Sequence, residues 1–279
     1  MYQSIGGISR MTQKLKFAII QMDVKAGDVA HNMEVLKVKL NEAVSVAEKP
    51  DVIMFPEMWN TGYALTEIDA LADAEGKQTI ALLSEFAKQH EVNIIGGSIA
   101  EKKTDGVYNT IYAFDRSGNI INDYSKLHLF RLMDEEKYLQ AGDKLGRLEI
   151  DGVQAAMMIC YDIRFPELAR SLALQGAKVL FVPAQWPKPR LNHWRTLLIA
   201  RAIENQMYVV ACNRMGKSGD AEFFGHSIVI DPWGEIVAEA QEEDTILRGE
   251  IDLSIVEKVR ATIPIFEDRR PQYYNRVTE

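Results

Sequence analysis

The sequence predicts an α/β fold: one domain in which two mixed β-sheets pack face to face with helices outside. Three observations carry this. Short apolar runs alternate with amphipathic helical stripes over residues 15–97, the signature of βα units. From residue 107 onward, extended segments joined by turn signals bring antiparallel strands into the pattern. No linker or fixed-period repeat divides the chain, and strands outnumber helices, so a sandwich that buries both kinds of strand accounts for them best.

Taken in order, residues 15–22 (Leu-Lys-Phe-Ala-Ile-Ile-Gln-Met) form the first strand. Met33, Leu36, Leu40, Val44 and Ala47 then recur at helical spacing, and Pro50 bounds that helix. Residues 52–55 are a second buried run stopped by Pro56, which leaves Glu57 at the strand's carboxyl end. Ile80, Leu83, Phe86 and Ala87 stripe the next helix, followed by a strand over 92–97 that ends in glycines. Residues 108–114 and 120–124 flank Arg-Ser-Gly-Asn at 116–119, a hairpin signal. A polar loop covers 127–144, and a buried strand over 153–159 delivers Cys160 at its end. Pro166 opens a helix striped by Leu168, Ala169, Leu172 and Ala173 and closed near Gly176. A strand at 179–182, a helix at 191–205 and strands at 207–212, 227–230, 236–239 and 247–251 complete the pattern. Residues 1–11 read as a tail or a non-native remnant, because Met11 could be the natural start. Residues 12–279 read as a single domain with a C-terminal tail from about residue 252.

Of the 279 residues, 47% are hydrophobic and 26% charged, the balance of a soluble globular chain. A net charge of −8 with only short, mixed charge runs excludes a nucleic-acid binder, since polyanions are held by clustered Lys and Arg. No window approaches the ~18 apolar residues of a membrane span, and the first ten residues lack a signal-peptide core, so no membrane partner and a cytoplasmic location are expected. Cys160 and Cys212 are too few and too far apart for a disulfide scaffold or a C-x-x-C metal site.

Cys160 ends a strand where the chain turns into a helix. Such a turn holds a nucleophile rigidly and leaves free backbone N–H groups to receive an oxyanion. A small buried hydrophobe is the other fate of such a cysteine. A thiol of pKa ~8.5 needs a base or a cation beside it to react. None of His31, His90, His128, His193 and His226 lies in a cysteine-protease pattern, although position alone leaves His128 and His226 open. Glu57 and Lys126 offer another route: each follows an extended apolar segment and is flanked by apolar or aromatic residues, which would bury it beside a partner. Asp162, Arg164 and Glu167 read as an ion-pair network bracing the turn. Tyr161 and Trp186 could wall a pocket or belong to the core, Gln185 could reach a substrate carboxylate or its own backbone, and Arg190 could pair with an anionic group. Cys212, inside a buried strand run, reads as an inert thiol.

Phe-Pro-Glu at 55–57, Ser-Lys-Leu-His-Leu-Phe at 125–130 and Ile-Cys-Tyr-Asp-Ile-Arg-Phe-Pro-Glu at 159–167 resemble, in order and spacing, the three signature blocks of the carbon-nitrogen hydrolase (nitrilase) superfamily. The resemblance runs over about residues 15–251. It implies a four-layer α-β-β-α sandwich and a catalytic triad carried by Glu57, Lys126 and Cys160, with no metal or organic cofactor. A fourth glutamate aligns with Glu135, or with its neighbour Glu136. The segments at 55–63, 184–187, 193–194 and 200–205 resemble the ω-amidase-like branch, which hydrolyses the terminal amide of short 2-oxo acids such as 2-oxoglutaramate. A small-molecule amide substrate and a homodimer through the helices at 168–175 and 191–205 are further implications; from their own positions, Tyr161, Gln185 and Trp186 are the residues expected beside the substrate. Other carbon-nitrogen hydrolase chemistries (nitrilase, N-carbamoyl amidohydrolase, aliphatic amidase) share the triad, and a non-catalytic binding protein is the alternative of a different class.

Overall fold

The computed structural model describes residues 14–274. The proposed tail at 1–11 lies outside them. The chain opens with β1 (Lys14–Gln21), α1 (Val29–Val44), β2 (Val52–Met54), α2 (Ile68–Leu71), β3 (Asp73–Ala74), α3 (Lys77–His90), β4 (Asn93–Ile95), β5 (Ile99–Lys103), β6 (Gly106–Phe114) and β7 (Ile120–Ser125). After the short α4 (Glu135–Tyr138) come β8 (Gly146–Ile150), β9 (Val153–Met157), α5 (Pro166–Leu174), β10 (Val179–Ala184), α6 (Leu191–Asn205) and β11 (Tyr208–Asn213). The ribbon β12 (Met215–Ser218) and β13 (Ala221–Phe224) precedes β14 (Ile228–Ile230), β15 (Ile236–Glu239), β16 (Thr245–Asp252), α7 (Ser254–Thr262) and α8 (Pro271–Tyr274).

Two mixed sheets result. In the eight-stranded sheet the order is β16-β1-β2-β4-β6-β5-β3, with β7 also on β6; in the six-stranded sheet it is β15-β14-β11-β10-β9-β8. The parallel strands β1, β2 and β4 are joined through α1 and α3, while β9, β10 and β11 are joined through α5 and α6. The two-residue period of β1 shows why this is a sandwich. Phe17 and Ile19 enter the core shared with the second sheet, whereas Ala18 and Ile20 pack with Leu36 and Leu40 of α1 and Leu83 of α3. Both faces of the strand are therefore apolar. Leu168 and Leu172 of α5 and Trp194 and Leu198 of α6 are buried in the same cluster as the second sheet, completing the α-β-β-α layers.

Several elements differ from the sequence reading. The expected polar loop at 127–144 contains α4, and β3, β5, β8 and the β12–β13 ribbon were not expected. They are short, or carry charged residues on their exposed face, so apolar periodicity is weak there. The segment from about residue 252, read as a tail, begins with the packed helix α7, which buries Val256 and Val259. Among the described residues no helix is long and apolar enough to cross a membrane, and no group of three or more His, Cys, Asp or Glu is placed to hold a metal.

Candidate active site

The two sheets bring their carboxyl-end loops to one end of the sandwich. Glu57 follows β2 and Lys126 follows β7, both in the first sheet; Cys160 follows β9 and Gln185 follows β10, both in the second. Close backbone approaches shape these loops. A Cβ on Gly97, whose φ is +56°, would collide with the Pro56 carbonyl, and one on Gly142 would collide with that of Ser125. Met58 (φ 46°) and Cys160 (φ 45°) also have left-handed backbones, a sparsely populated conformation for such residues that surrounding packing must hold.

Lys126 is fully buried between two carboxylates. Its Nζ lies 2.9 Å from Glu57 Oε1 and 2.8 Å from Glu135 Oε1. Burial alone would lower the ammonium's pKa, but Glu135 and then Glu57 overcome it and hold the pKa well above its ordinary value. Glu57 also accepts from Asn109 Nδ2 at 2.8 Å and from the Gln185 backbone N–H at 2.7 Å. The Phe130 N–H donates to Glu135 at 2.9 Å. Glu135 is buried and joins this cluster, whereas its neighbour Glu136 is exposed. Burial raises the Glu135 carboxyl, with Lys126 opposing and Glu57 adding to the rise. The Cys160 thiol, also buried, is pushed well above its ordinary range by burial and then by Glu57, against the pull of Lys126.

The turn that presents Cys160 is a short 3-10 helix, Cys160–Arg164. Asp162 points inward and accepts from the Ile159 N–H at 2.9 Å, the Tyr124 hydroxyl at 2.7 Å and the His128 N–H at 3.1 Å. The expected network of Asp162, Arg164 and Glu167 does not form. The 3-10 twist turns Arg164 away from Asp162, over the Trp186 ring and towards His193 Nδ1, 3.4 Å away, while Glu167 starts α5 on the exposed surface. His128 serves Asp162, and His226 pairs with Glu239 outside the cluster. Cys212 is buried and donates to the Ile20 carbonyl.

A narrow cleft leads to Cys160. Tyr161 and Trp186 line it, together with Tyr63, Arg164 and Arg190. Gln185 lines it too, but its side chain is engaged at both ends: Nε2 donates to the Glu57 carbonyl at 2.7 Å and Oε1 accepts from Arg214 at 3.2 Å. Sequence reasoning missed Tyr63, whose hydroxyl contacts both Glu57 and Glu135, and Asn109. A polar Asn within the apolar run of β6 was the available signal for Asn109; Tyr63 closes the 55–63 segment that carries the branch resemblance, but its place in a loop marked no role for it.

Residues 16–261 match the sequence pattern of carbon-nitrogen hydrolases. The chain belongs to the carbon-nitrogen hydrolase family. It is 47% identical over 261 residues to a 2-oxoglutaramate amidase of Bacillus subtilis (strain 168), covering 94% of this chain and 100% of the relative. It is 35% identical over 280 residues to the chloroplastic omega-amidase of Arabidopsis thaliana, covering 95% of this chain and 74% of that protein. Among solved structures, the carbon-nitrogen hydrolase of Helicobacter pylori G27 superposes with a TM-score of 0.88 at 26% identity, covering 96% of this chain and 99% of the other. The fold of this family member is thus the nitrilase-type sandwich, and its cleft belongs to an enzyme of C–N bond hydrolysis.

Proposed function

We propose that this hydrolase removes the terminal amide of a short 2-oxo acid such as 2-oxoglutaramate, releasing ammonia through a thioester on Cys160. The observation that carries the reading is the convergence of Cys160, Glu57, Lys126 and Glu135 at the base of a cleft lined by two arginines. Among the described residues neither Arg164 nor Arg190 forms an ion pair with a carboxylate, and their stacking on Trp186 and Phe130 leaves guanidinium edges for an anionic substrate end. The names of the amidase relatives support the same substrate class.

Glu57 takes the thiol proton as the sulfur attacks the amide carbonyl, since a raised thiol pKa calls for a base at hand. The Lys126 ammonium and the Tyr161 N–H, in the first turn of the 3-10 helix, meet the oxyanion. Glu57 returns the proton to the departing ammonia, then activates the water that hydrolyses the thioester. Glu135 orients Lys126 and the amide. Tyr161 and Trp186 wall the substrate, and Gln185 holds Glu57. No cofactor enters the proposed sequence.

Ammonia release from 2-oxoglutaramate, set beside a nitrile and an N-carbamoyl amino acid, tests the reading. Preference for the amide supports it, and preference for either competitor overturns it. Cys160→Ala must abolish turnover with the fold intact; ammonia release at the original rate from that variant would sink the nucleophile assignment. The proposal extends to a cytoplasmic homodimer. Ile203 of α6 and the neighbouring Trp233 are 49% and 46% exposed, apolar surface suited to a second copy. Light scattering of wild type and Ile203→Glu tests the dimer, which a monomeric wild type would refute.

A further inference from the structure

Tyr63 stands between the two carboxylates of the site. Its hydroxyl oxygen lies 2.8 Å from Glu57 Oε1 and 2.7 Å from Glu135 Oε1. A phenol carries one hydrogen, so it can donate to only one of them. The other contact is a hydrogen bond only if that carboxyl is itself protonated and donates to the phenol oxygen. Two unprotonated oxygens held this close, away from water, would repel without compensation.

Counting donors decides which acid holds the proton. Glu57 accepts N–H bonds from Lys126, Asn109 and Gln185, whereas Glu135 accepts them from Lys126 and Phe130. Donors stabilise the charged form, so the acid with fewer of them keeps the proton.

We propose that Glu57 and Glu135 share a single proton through Tyr63: Glu135 is a neutral acid donating to the phenol oxygen, Tyr63 donates to Glu57, and Glu57 is thereby held as the carboxylate. The inference rests on the amidase reading only in giving Glu57 the part of base. Tyr63 and Glu135 are here positioning residues that act through Glu57.

The surroundings agree. The titratable groups facing the pair are Lys126 from the end of β7, Cys160 from the end of β9 and Tyr63 itself; the end of β10 contributes the uncharged Gln185. Burial first, with the Glu57 carboxylate adding to it, pushes the phenol well above its ordinary range, so Tyr63 stays a donor. Protons balance through the reaction. As the S–C bond forms, the Cys160 proton passes to Glu57; as the C–N bond breaks, it passes to the leaving nitrogen, and Glu135 keeps its own.

Difference infrared spectroscopy of the whole protein at pH 7, wild type minus Glu135→Gln, reads the stored proton directly. The carbonyl-stretch band of a protonated carboxylic acid is expected, and its absence overturns the proposal whatever the substrate proves to be. The pH profile of kcat/KM supplies the second readout. In Tyr63→Phe a donor to Glu57 is lost, so the acidic limb should move to higher pH by about one unit. Site-specific 3-fluorotyrosine at position 63 keeps the shape but donates more strongly, and should move the limb to lower pH. A uniform loss of activity with the limb unmoved in both variants would refute the role. If wild type releases no ammonia from 2-oxoglutaramate, the amidase reading fails and the infrared band still decides the proton count.

Discussion

Lys126→Met isolates the electrostatic role of the buried ammonium. Methionine fills much of the lysine stem's volume, so the change removes a charge with little cavity. In the wild type Lys126 has no exposed side-chain surface and lies within 2.9 Å of two buried carboxylates. Removing one partner of a buried ion pair typically costs about 3–5 kcal/mol, because the remaining charge is left uncompensated. The same loss should make the deficit depend on pH. The Glu135 carboxyl is already raised above its ordinary 4.5, by burial first and with Lys126 opposing; without the lysine it rises further. An acid whose folded-state pKa is raised contributes stability that is fully present below its unfolded value and lost as pH rises through the folded value. The deficit of Lys126→Met should therefore be small near pH 4 and reach about 3–5 kcal/mol by pH 8. Urea unfolding of both proteins at intervals across that range measures it. A deficit below about 1 kcal/mol at pH 8, or one independent of pH, would refute the account of Lys126 as the charge that makes the two buried acidic side chains tolerable.

Three further outcomes follow from the same geometry. Asp162→Ala strips the acceptor from the buried Ile159 N–H and Tyr124 hydroxyl, each worth about 1–3 kcal/mol when left unpaired; urea unfolding should show the loss, and Cys160 alkylation should lose its single rate if the turn loosens. Arg164→Ala and Arg190→Ala should each raise KM for an anionic 2-oxo acid amide by about tenfold or more, with a neutral amide of equal length little affected; equal effects on both substrates would remove the arginines from recognition. Glu57→Gln should abolish turnover, yet alkylate faster at Cys160 at moderately alkaline pH, because the carboxylate that helps keep the thiol protonated is gone; slower alkylation than wild type would contradict that coupling.

Much of the site was legible along the chain, and the parts that were not share a cause. Glu57 and Cys160 each sit just beyond a largely apolar strand and Lys126 just beyond the more polar β7, strand-end positions that local patterning marks, and the three segments around them carry the family resemblance. Asp162 and Arg164 were misread as partners because both are polar residues on one turn; nothing in their spacing says that one faces the core and the other the cleft. Gln185 was assigned to the substrate side, but its polar ends are engaged by Glu57 and Arg214, the latter lying beyond the next strand. The short edge strands and the β12–β13 ribbon escaped for a different reason: their pairing compensates for weak propensity.

The sequence by itself determined the alternation of strands and helices, the absence of a linker, and the placement of a thiol, an amine and a carboxylate at strand ends. Periodicity, proline stops and turn residues act over a few positions, so the chain carries that information locally. Only the tertiary structure decided that β16 returns to pair with β1, that two sheets deliver Glu57 and Cys160 to the same end, and that Glu135 rather than Glu136 reaches Lys126. The contact of Tyr63 with both carboxylates belongs to the same class. Such meetings are selected by burial, which forces each desolvated charge to find a partner wherever packing brings one, and that choice leaves no periodic trace in the residues themselves.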